Sequence, residues 1–210
     1  MRPPAKLPLP PCGLYAITDG PRRDLVAACE AALQGSVALL QYRDKTAEHA
    51  RRRREAADLA ALCARFGVPL IVNDDVDLAA EIGAAGVHLG EDDGEVSTAR
   101  ARLGADALIG VSCYDSLERA RRAAAAGADY LAFGAFFPSP TKPHARKATS
   151  ALLHAAKPFG LPLVAIGGVT PDNAPQLIAA GADFVAAVSG VFGAADPAAA
   201  ARRYAALFTT

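Results

Sequence analysis

The sequence predicts an α/β fold, a single (β/α)8 TIM barrel, and two patterns carry that prediction. Short runs of β-forming residues alternate strictly with longer Ala-rich segments of helical period, eight of each. Phrases of one type also recur along the chain: IGAAGVHLG, AAGADYLAFG and AAGADFVAAVS each run from a helix end through Gly-Ala into a strand. A parallel strand needs a crossover helix before its neighbour, and about eight such units close a barrel.

Strands are expected at 14–18, 37–42, 68–73, 86–89, 107–112, 130–134, 161–166 and 184–188. Helices are expected near 24–35, 47–66, 76–84, 95–103, 116–126, 148–159, 172–180 and 196–208. Residues 1–13, MRPPAKLPLPPCG, read as a proline-rich arm, and 14–210 as one barrel domain that carries the catalysis. A doubly wound open sheet is the competing architecture. It favours a Gly-rich phosphate loop after its first strand, and here that turn reads Thr18-Asp19-Gly20-Pro21. In the recurrent phrases the glycine serves as a helix C-cap, which commonly needs a left-handed backbone. Each phrase then makes a tight turn at the bottom of the barrel. Polar residues just after each strand fall on the top face, where barrel enzymes place their chemistry.

Composition narrows the function. Of the 210 residues 52% are hydrophobic, which supports a packed core, and Lys plus Arg equals Asp plus Glu at 22 each. That balance predicts no general attraction to nucleic acid or to an anionic membrane, so anion binding must come from local geometry. Cys12, Cys29, Cys63 and Cys113 are widely spaced and match no zinc pattern; reduced, mostly buried thiols are expected. Prolines interrupt any signal-peptide helix, and no apolar run reaches the roughly 18 residues of a membrane span. A cytoplasmic, soluble protein is expected. The basic run Arg51-Arg52-Arg53-Arg54 reads as an exposed part of the second helix, since four consecutive residues do not share one helix face.

The strand ends carry the chemistry. Strand two ends in Gln41-Tyr42-Arg43-Asp44-Lys45. Alternation puts Gln41, Arg43 and Lys45 on one side, where two cations make an anion clamp and the amide suits a heterocycle edge. Strand three ends in Asn73-Asp74-Asp75 with Asp77 beyond. Asn73 and Asp74 suit Mg²⁺ and phosphate oxygens, while Asp75 or Asp77 starts the next helix. Strand four ends in His88-Leu89-Gly90-Glu91-Asp92-Asp93. Asp74 with Asp93 gives the one or two carboxylates that Mg²⁺ typically takes from protein. His88, inside the apolar run, reads as structural or as a support for its neighbours rather than a ligand. Ser112 offers a hydroxyl to phosphate, and Ser116 is better placed to cap the following helix. Cys113 has no nearby histidine to activate it.

After strand six, the segment 134–144 carries Phe136, Phe137, Ser139, Thr141, Lys142 and His144 among prolines and looks like a lid over an anion. Lys142 is expected near a leaving pyrophosphate, and Ser139 and Thr141 near a second phosphate. Gly167-Gly168 after strand seven and Ser189 after strand eight occupy the usual phosphate-binding loops of such barrels. Two anion sites on one rim are expected, one of them with a metal.

The ordered set LYAITD, QYRDK, NDDVDLA, GVHLGEDD, IGVSCYD, GADYLAFGAFFPSPTK and VAIGGVTPDN resembles the bacterial thiamine-phosphate synthase family over residues 14 to about 192. The resemblance implies condensation of hydroxymethylpyrimidine pyrophosphate with thiazole phosphate, giving thiamine phosphate and pyrophosphate. It implies that pyrophosphate leaves first and that the thiazole nitrogen captures a pyrimidine methyl cation. By the same resemblance Gln41 holds the pyrimidine, and Arg43, Lys45, Asn73, Ser112 and Lys142 hold the pyrophosphate. Asp74 and Asp93 ligate Mg²⁺, and Ser139, Thr141, Gly168, Val188 and Ser189 line the thiazole phosphate site. An ionisation of this kind needs no general base, and no acid–base pair stands out in the chain.

Three positions depart from the family. Glu91 stands where Gln is usual and adds a negative charge near the metal. Ser139 replaces the first lid Thr, and Ser36 stands where Gly is expected. The nearest rival, a thiazole tautomerase of the same fold, uses a histidine base and does not need the Gln41, Arg43, Lys45 and carboxylate set. Other phosphate-binding barrels usually need a paired acid and base. The oligomeric state is left open, homo-oligomer included.

Overall fold

In the computed structural model every strand lies parallel to its neighbours, and β8 pairs with β1 to close the barrel. The structure describes residues 7–138 and 146–209. The strands are β1 (Gly13–Ile17), β2 (Leu39–Tyr42), β3 (Leu70–Asn73), β4 (Gly86–Leu89), β5 (Leu108–Tyr114), β6 (Tyr130–Phe133), β7 (Leu163–Ile166) and β8 (Phe184–Ala187). The helices that wrap them are α1 (Leu25–Gln34), α2 (His49–Phe66), α3 (Val76–Glu81), α4 (Val96–Leu103), α5 (Leu117–Ala125), α6 (Ser150–Ala156), α7 (Ala174–Ala179), α8 (Ser189–Phe192) and α9 (Pro197–Ala205).

Each strand is buried on both faces, so its sequence reads as a continuous apolar run rather than an alternating one. Tyr15, Ile17, Leu39, Ile71, Tyr130, Val164 and Phe184 point inward and fill the barrel. Their neighbours Leu14, Ala16, Leu40, Val72, Leu131 and Val185 point outward into a second cluster beneath the helices. Full burial of each such aliphatic side chain contributes about 1.5–3 kcal/mol. Alanines on the inner helix faces, Ala28 and Ala32 of α1 and Ala56 of α2, have no exposed surface or almost none and hold the helices close to the sheet. Inside the barrel Gly110 has no side chain where the Tyr130 ring crosses. A Cβ built there would fall within that ring.

The recurrent Gly-Ala phrases make the bottom turns as expected: Gly83, Gly127 and Gly181 have φ of 66°, 87° and 108°. The aspartates that follow two of them staple adjacent strands. Asp129 Oδ2 accepts from the Ile109 amide at 2.7 Å, and Asp183 Oδ2 from the Leu163 amide at 2.8 Å.

Three boundaries differ in ways that matter. β5 runs to Tyr114 with a register shift between Ser112 and Tyr114, because Cys113 continues the outward-facing core. α8 follows β8 directly, where the sequence offered only a loop; a single helical turn is too short to display a period. Among residues 7–12 of the proline-rich arm, Leu9 packs against the barrel's inner cluster. Around α2, Arg51 pairs with Asp44 and Glu55, Arg52 with Asp75 and Arg53 with Glu81, so among the described residues three of the four consecutive arginines are held in ion pairs. Among the described residues no helix is long and apolar enough to cross a membrane.

Candidate active site

Those of the residues singled out at the strand ends that the structure describes lie at the C-terminal rim and the barrel mouth just beneath it. Gln41, 2% exposed, points into the barrel and donates from Nε2 to the Tyr15 hydroxyl at 2.6 Å. Beyond β2 the chain is braced: the fully buried Thr18 hydroxyl accepts from the Arg43 amide at 2.8 Å and lies 3.1 Å from the Arg43 carbonyl. Asp44 turns back beneath the loop, where its carboxylate accepts from the Thr46 amide at 2.8 Å and from Arg51 at 2.7 Å. Burial raises the Asp44 pKa, and the bonds from Thr46 and Arg51 outweigh it, leaving the carboxyl below its ordinary value. With Asp44 anchored, Arg43 and Lys45 sit on either side of a fixed point. Among the described residues the Arg43 guanidinium has no ion-pair partner, while Lys45 pairs with Asp74.

Asp74 adopts a left-handed backbone, φ 63°, and accepts from Asn73 Nδ2 at 2.6 Å. Asp93 accepts from the Gly90 amide at 2.7 Å and faces Asp74. Burial first, and then the facing Asp74 carboxylate, push the Asp93 carboxyl above its ordinary value. Two facing carboxylates are of the kind and number that a Mg²⁺ ion typically takes from protein. Among the described residues there is no cluster of three or more candidate metal-binding side chains. Asp75 caps α3 through the Leu78 amide at 2.9 Å, and Asp77 pairs with Arg102 on the surface. The choice left open between these two as the cap therefore falls to Asp75.

Beneath this rim runs a row of polar side chains. Tyr15 and Tyr130 hydroxyls lie 2.8 Å apart, Tyr130 is 3.1 Å from His88 Nδ1, and His88 Nε2 is 2.8 Å from Ser112 Oγ. His88 stacks on the Tyr130 ring at 5.6 Å. The sequence reading left open whether His88 is structural or supports its neighbours, and here its ring joins Tyr130 to Ser112. Ser116 caps α5, as expected.

Across the mouth, Gly167 and Gly168 have φ of 97° and 64°, and a Cβ on Gly168 would strike the carbonyls of Phe137 and Pro138. The Phe137 amide donates to the Gly167 carbonyl at 3.0 Å, joining the start of the β6 loop to the end of β7. Val188 precedes α8 and Ser189 opens it. Tyr204 of α9 donates to the Val169 carbonyl at 2.9 Å, and its hydroxyl lies where a Cβ on Gly190 would project. Ser139, Thr141 and Lys142 lie outside the described residues.

The sequence pattern described as thiamine monophosphate synthase matches residues 14–191. The chain belongs to this family. A thiamine-phosphate synthase of Xanthomonas campestris pv. campestris is 59% identical over 198 residues, covering 94% of this chain and 96% of that protein. One from Chromobacterium violaceum is 54% identical over 198 residues, covering 93% and 96%. The solved thiamine phosphate pyrophosphorylase of Pyrococcus furiosus superposes with a TM-score of 0.84 at 32% identity, covering 93% of this chain and 95% of that one. The family and the barrel expected from the sequence are thus both found, and the expected transferase activity is the one these relatives are named for.

Against the family pattern, the extra carboxylate of Glu91 is matched by Arg146, whose guanidinium stacks 4.4 Å above the Tyr114 ring. Its charge is therefore paired locally. Ser36 holds φ 68°, which explains why glycine is expected there. Sequence reading missed Tyr15, Thr18, Tyr130 and Tyr204. All four sit in apolar runs or at helix ends, where an aromatic or a threonine looks like core, and only the fold brings their hydroxyls to the site.

Proposed function

We propose that the protein joins hydroxymethylpyrimidine pyrophosphate to thiazole phosphate at this rim, forming thiamine phosphate and releasing pyrophosphate. The observation that carries the reading is the convergence, at one barrel mouth, of an anion clamp (Arg43 and Lys45), a facing carboxylate pair (Asp74 and Asp93) and a glycine-opened loop at Gly167-Gly168. Two phosphorylated substrates, one of them a pyrophosphate, need that combination.

The bond between the pyrimidine methylene and the pyrophosphate oxygen breaks with its electron pair leaving on oxygen, and the thiazole nitrogen lone pair then forms the new bond. Neither step transfers a proton to the protein. What the site must supply is stabilisation of the departing anion, and pre-placed donors do this without reorganisation. Arg43, Lys45, Asn73, Ser112 and, from the lid, Lys142 fill that role, while Gln41 orients the pyrimidine. Asp74 and Asp93 would hold Mg²⁺, which would supply positive charge to offset that of the pyrophosphate. Gly168, Val188 and Ser189, with Ser139 and Thr141, receive the thiazole phosphate. Phe136 and Phe137, partly buried against the outer core, keep water from the cationic carbon. The four thiols are all free, in keeping with a reaction carried out in the cytoplasm.

The tautomerase alternative loses support from His88. It is 8% exposed, and both of its ring nitrogens have partners, Tyr130 and Ser112. Turnover of the two substrates with Mg²⁺, followed by oxidation of the product to fluorescent thiochrome, tests the proposal. Product should form, vanish with chelator, and fall sharply in Asp74→Ala and Lys142→Ala. Well-folded protein that yields none at any Mg²⁺ concentration would refute the synthase reading.

A further inference from the structure

Gln41, Tyr15, Tyr130, His88 and Ser112 make one unbroken hydrogen-bonded chain through the barrel, with links of 2.6, 2.8, 3.1 and 2.8 Å. Tyr15 and Tyr130 are at most 1% exposed, and burial holds both hydroxyls well above their ordinary pKa. Each is therefore a neutral phenol with a single hydrogen to place. Leaving such a hydrogen without an acceptor costs about 1–3 kcal/mol.

With the Gln41 amide nitrogen as the first donor, that requirement sets a direction for every link. The Gln41 amide nitrogen donates to Tyr15 and accepts nothing, so the Tyr15 hydrogen goes to Tyr130. The Tyr130 oxygen thus accepts, and its own hydrogen goes to His88 Nδ1. The imidazole then carries its proton on Nε2 and donates to Ser112 Oγ. Ser112, having accepted from below, directs its own hydrogen away from the chain. At the other end the Gln41 carbonyl oxygen remains as an acceptor.

We propose that Tyr15, Tyr130 and His88 are positioning residues that set the polarity of the barrel mouth, making Ser112 a donor to the leaving pyrophosphate and Gln41 an acceptor toward the pyrimidine. The inference rests on the reading of this rim as the pyrophosphate site. Its content is the sign of the Ser112 contact. With the chain reversed, the serine hydrogen would point at His88 and lone pairs would face the anion. The glycine at 110 belongs to the same device, because the Tyr130 ring reaches the barrel axis only where β5 has no side chain.

Two measurements test it. Two-bond proton–nitrogen correlation of the histidine rings in the native protein shows which nitrogen of His88 carries the proton. Nε2–H is expected, and a proton on Nδ1 would overturn the proposal without any variant having to fold. In turnover, Tyr130→Phe keeps the ring and removes only the hydroxyl. It should lower kcat roughly tenfold, less than the loss of a whole preorganised donor, while KM for thiazole phosphate stays put. In a Ser112→Ala background the same change should have no further effect, since both act through one contact. Independent, additive losses would reduce the tyrosine to a packing role and sink the idea. Native protein that makes no thiamine phosphate would count against the reaction, not the polarity, which the ring protons report without substrate.

Discussion

Replacing Asp44 by asparagine tests whether the anion clamp is held from below. The Asp44 carboxylate is fully buried, 2.7 Å from Arg51, and accepts the Thr46 amide at 2.8 Å. Removing one member of a buried ion pair typically costs about 3–5 kcal/mol. Arg51 keeps Glu48 and Glu55 as partners, and asparagine keeps an acceptor for Thr46, so the loss should be nearer the roughly 2 kcal/mol of charge-assisted hydrogen bonds. For a domain of this size that lowers the melting temperature by about 4–8 °C. The pH dependence follows from the lowered pKa. Asp44's stabilisation is complete above the unfolded-state value of about 3.9 and is lost as pH falls through the lower folded-state value. Thermal melts of both proteins, followed by circular dichroism from pH 7 down to pH 3, should therefore show a gap that is constant at first and then closes. Because Arg43 and Lys45 flank the anchor, KM for the pyrophosphate substrate should also rise in the variant. A gap that persists unchanged to pH 3, or none at pH 7, would refute the assigned role.

Other outcomes follow from single features. Ser36→Gly removes a left-handed conformation that costs a non-glycine residue about 1–2 kcal/mol, partly offset by the greater freedom of glycine in the unfolded chain. The melting temperature should rise by roughly 1–3 °C, and a fall would show that the serine side chain contributes more than its strain. Gly110→Ala pushes a methyl into the Tyr130 ring and should destabilise by about 1–3 kcal/mol in urea denaturation, with turnover reduced as the tyrosine is displaced. Cys29, Cys63 and Cys113 have thiols that burial pushes up to about 12, so almost no thiolate exists at pH 8. Mass spectrometry after iodoacetamide treatment should find these three unmodified in the native protein and modified after unfolding; rapid native labelling at any of them would contradict the buried placement.

Much of this was legible in the chain because a parallel barrel writes itself as alternation. Each strand is apolar throughout and stops at a polar rim, so Gln41, Asn73 and Ser112 stand out where the run ends. The Gly-Ala phrases disclosed the bottom turns because only glycine takes φ near 66–108° there without strain. Other parts were not legible, for definite reasons. A tyrosine inside an apolar strand is indistinguishable from core until the barrel closes, and Tyr15 and Tyr130, 115 positions apart in sequence, meet only through that closure. Helix α8 is a single turn. The partner of Glu91 is Arg146, 55 residues away, so charge counting along the sequence does not reveal that this carboxylate is paired.

The measurement that tests the central claim most directly is a crystal structure with Mg²⁺, pyrophosphate and thiamine phosphate bound. The account predicts the metal between Asp74 and Asp93, pyrophosphate on Arg43, Lys45, Asn73 and Ser112, and the thiamine phosphate group at Gly168 and Ser189. Product bound anywhere other than this rim, or a metal held without either aspartate, would contradict it.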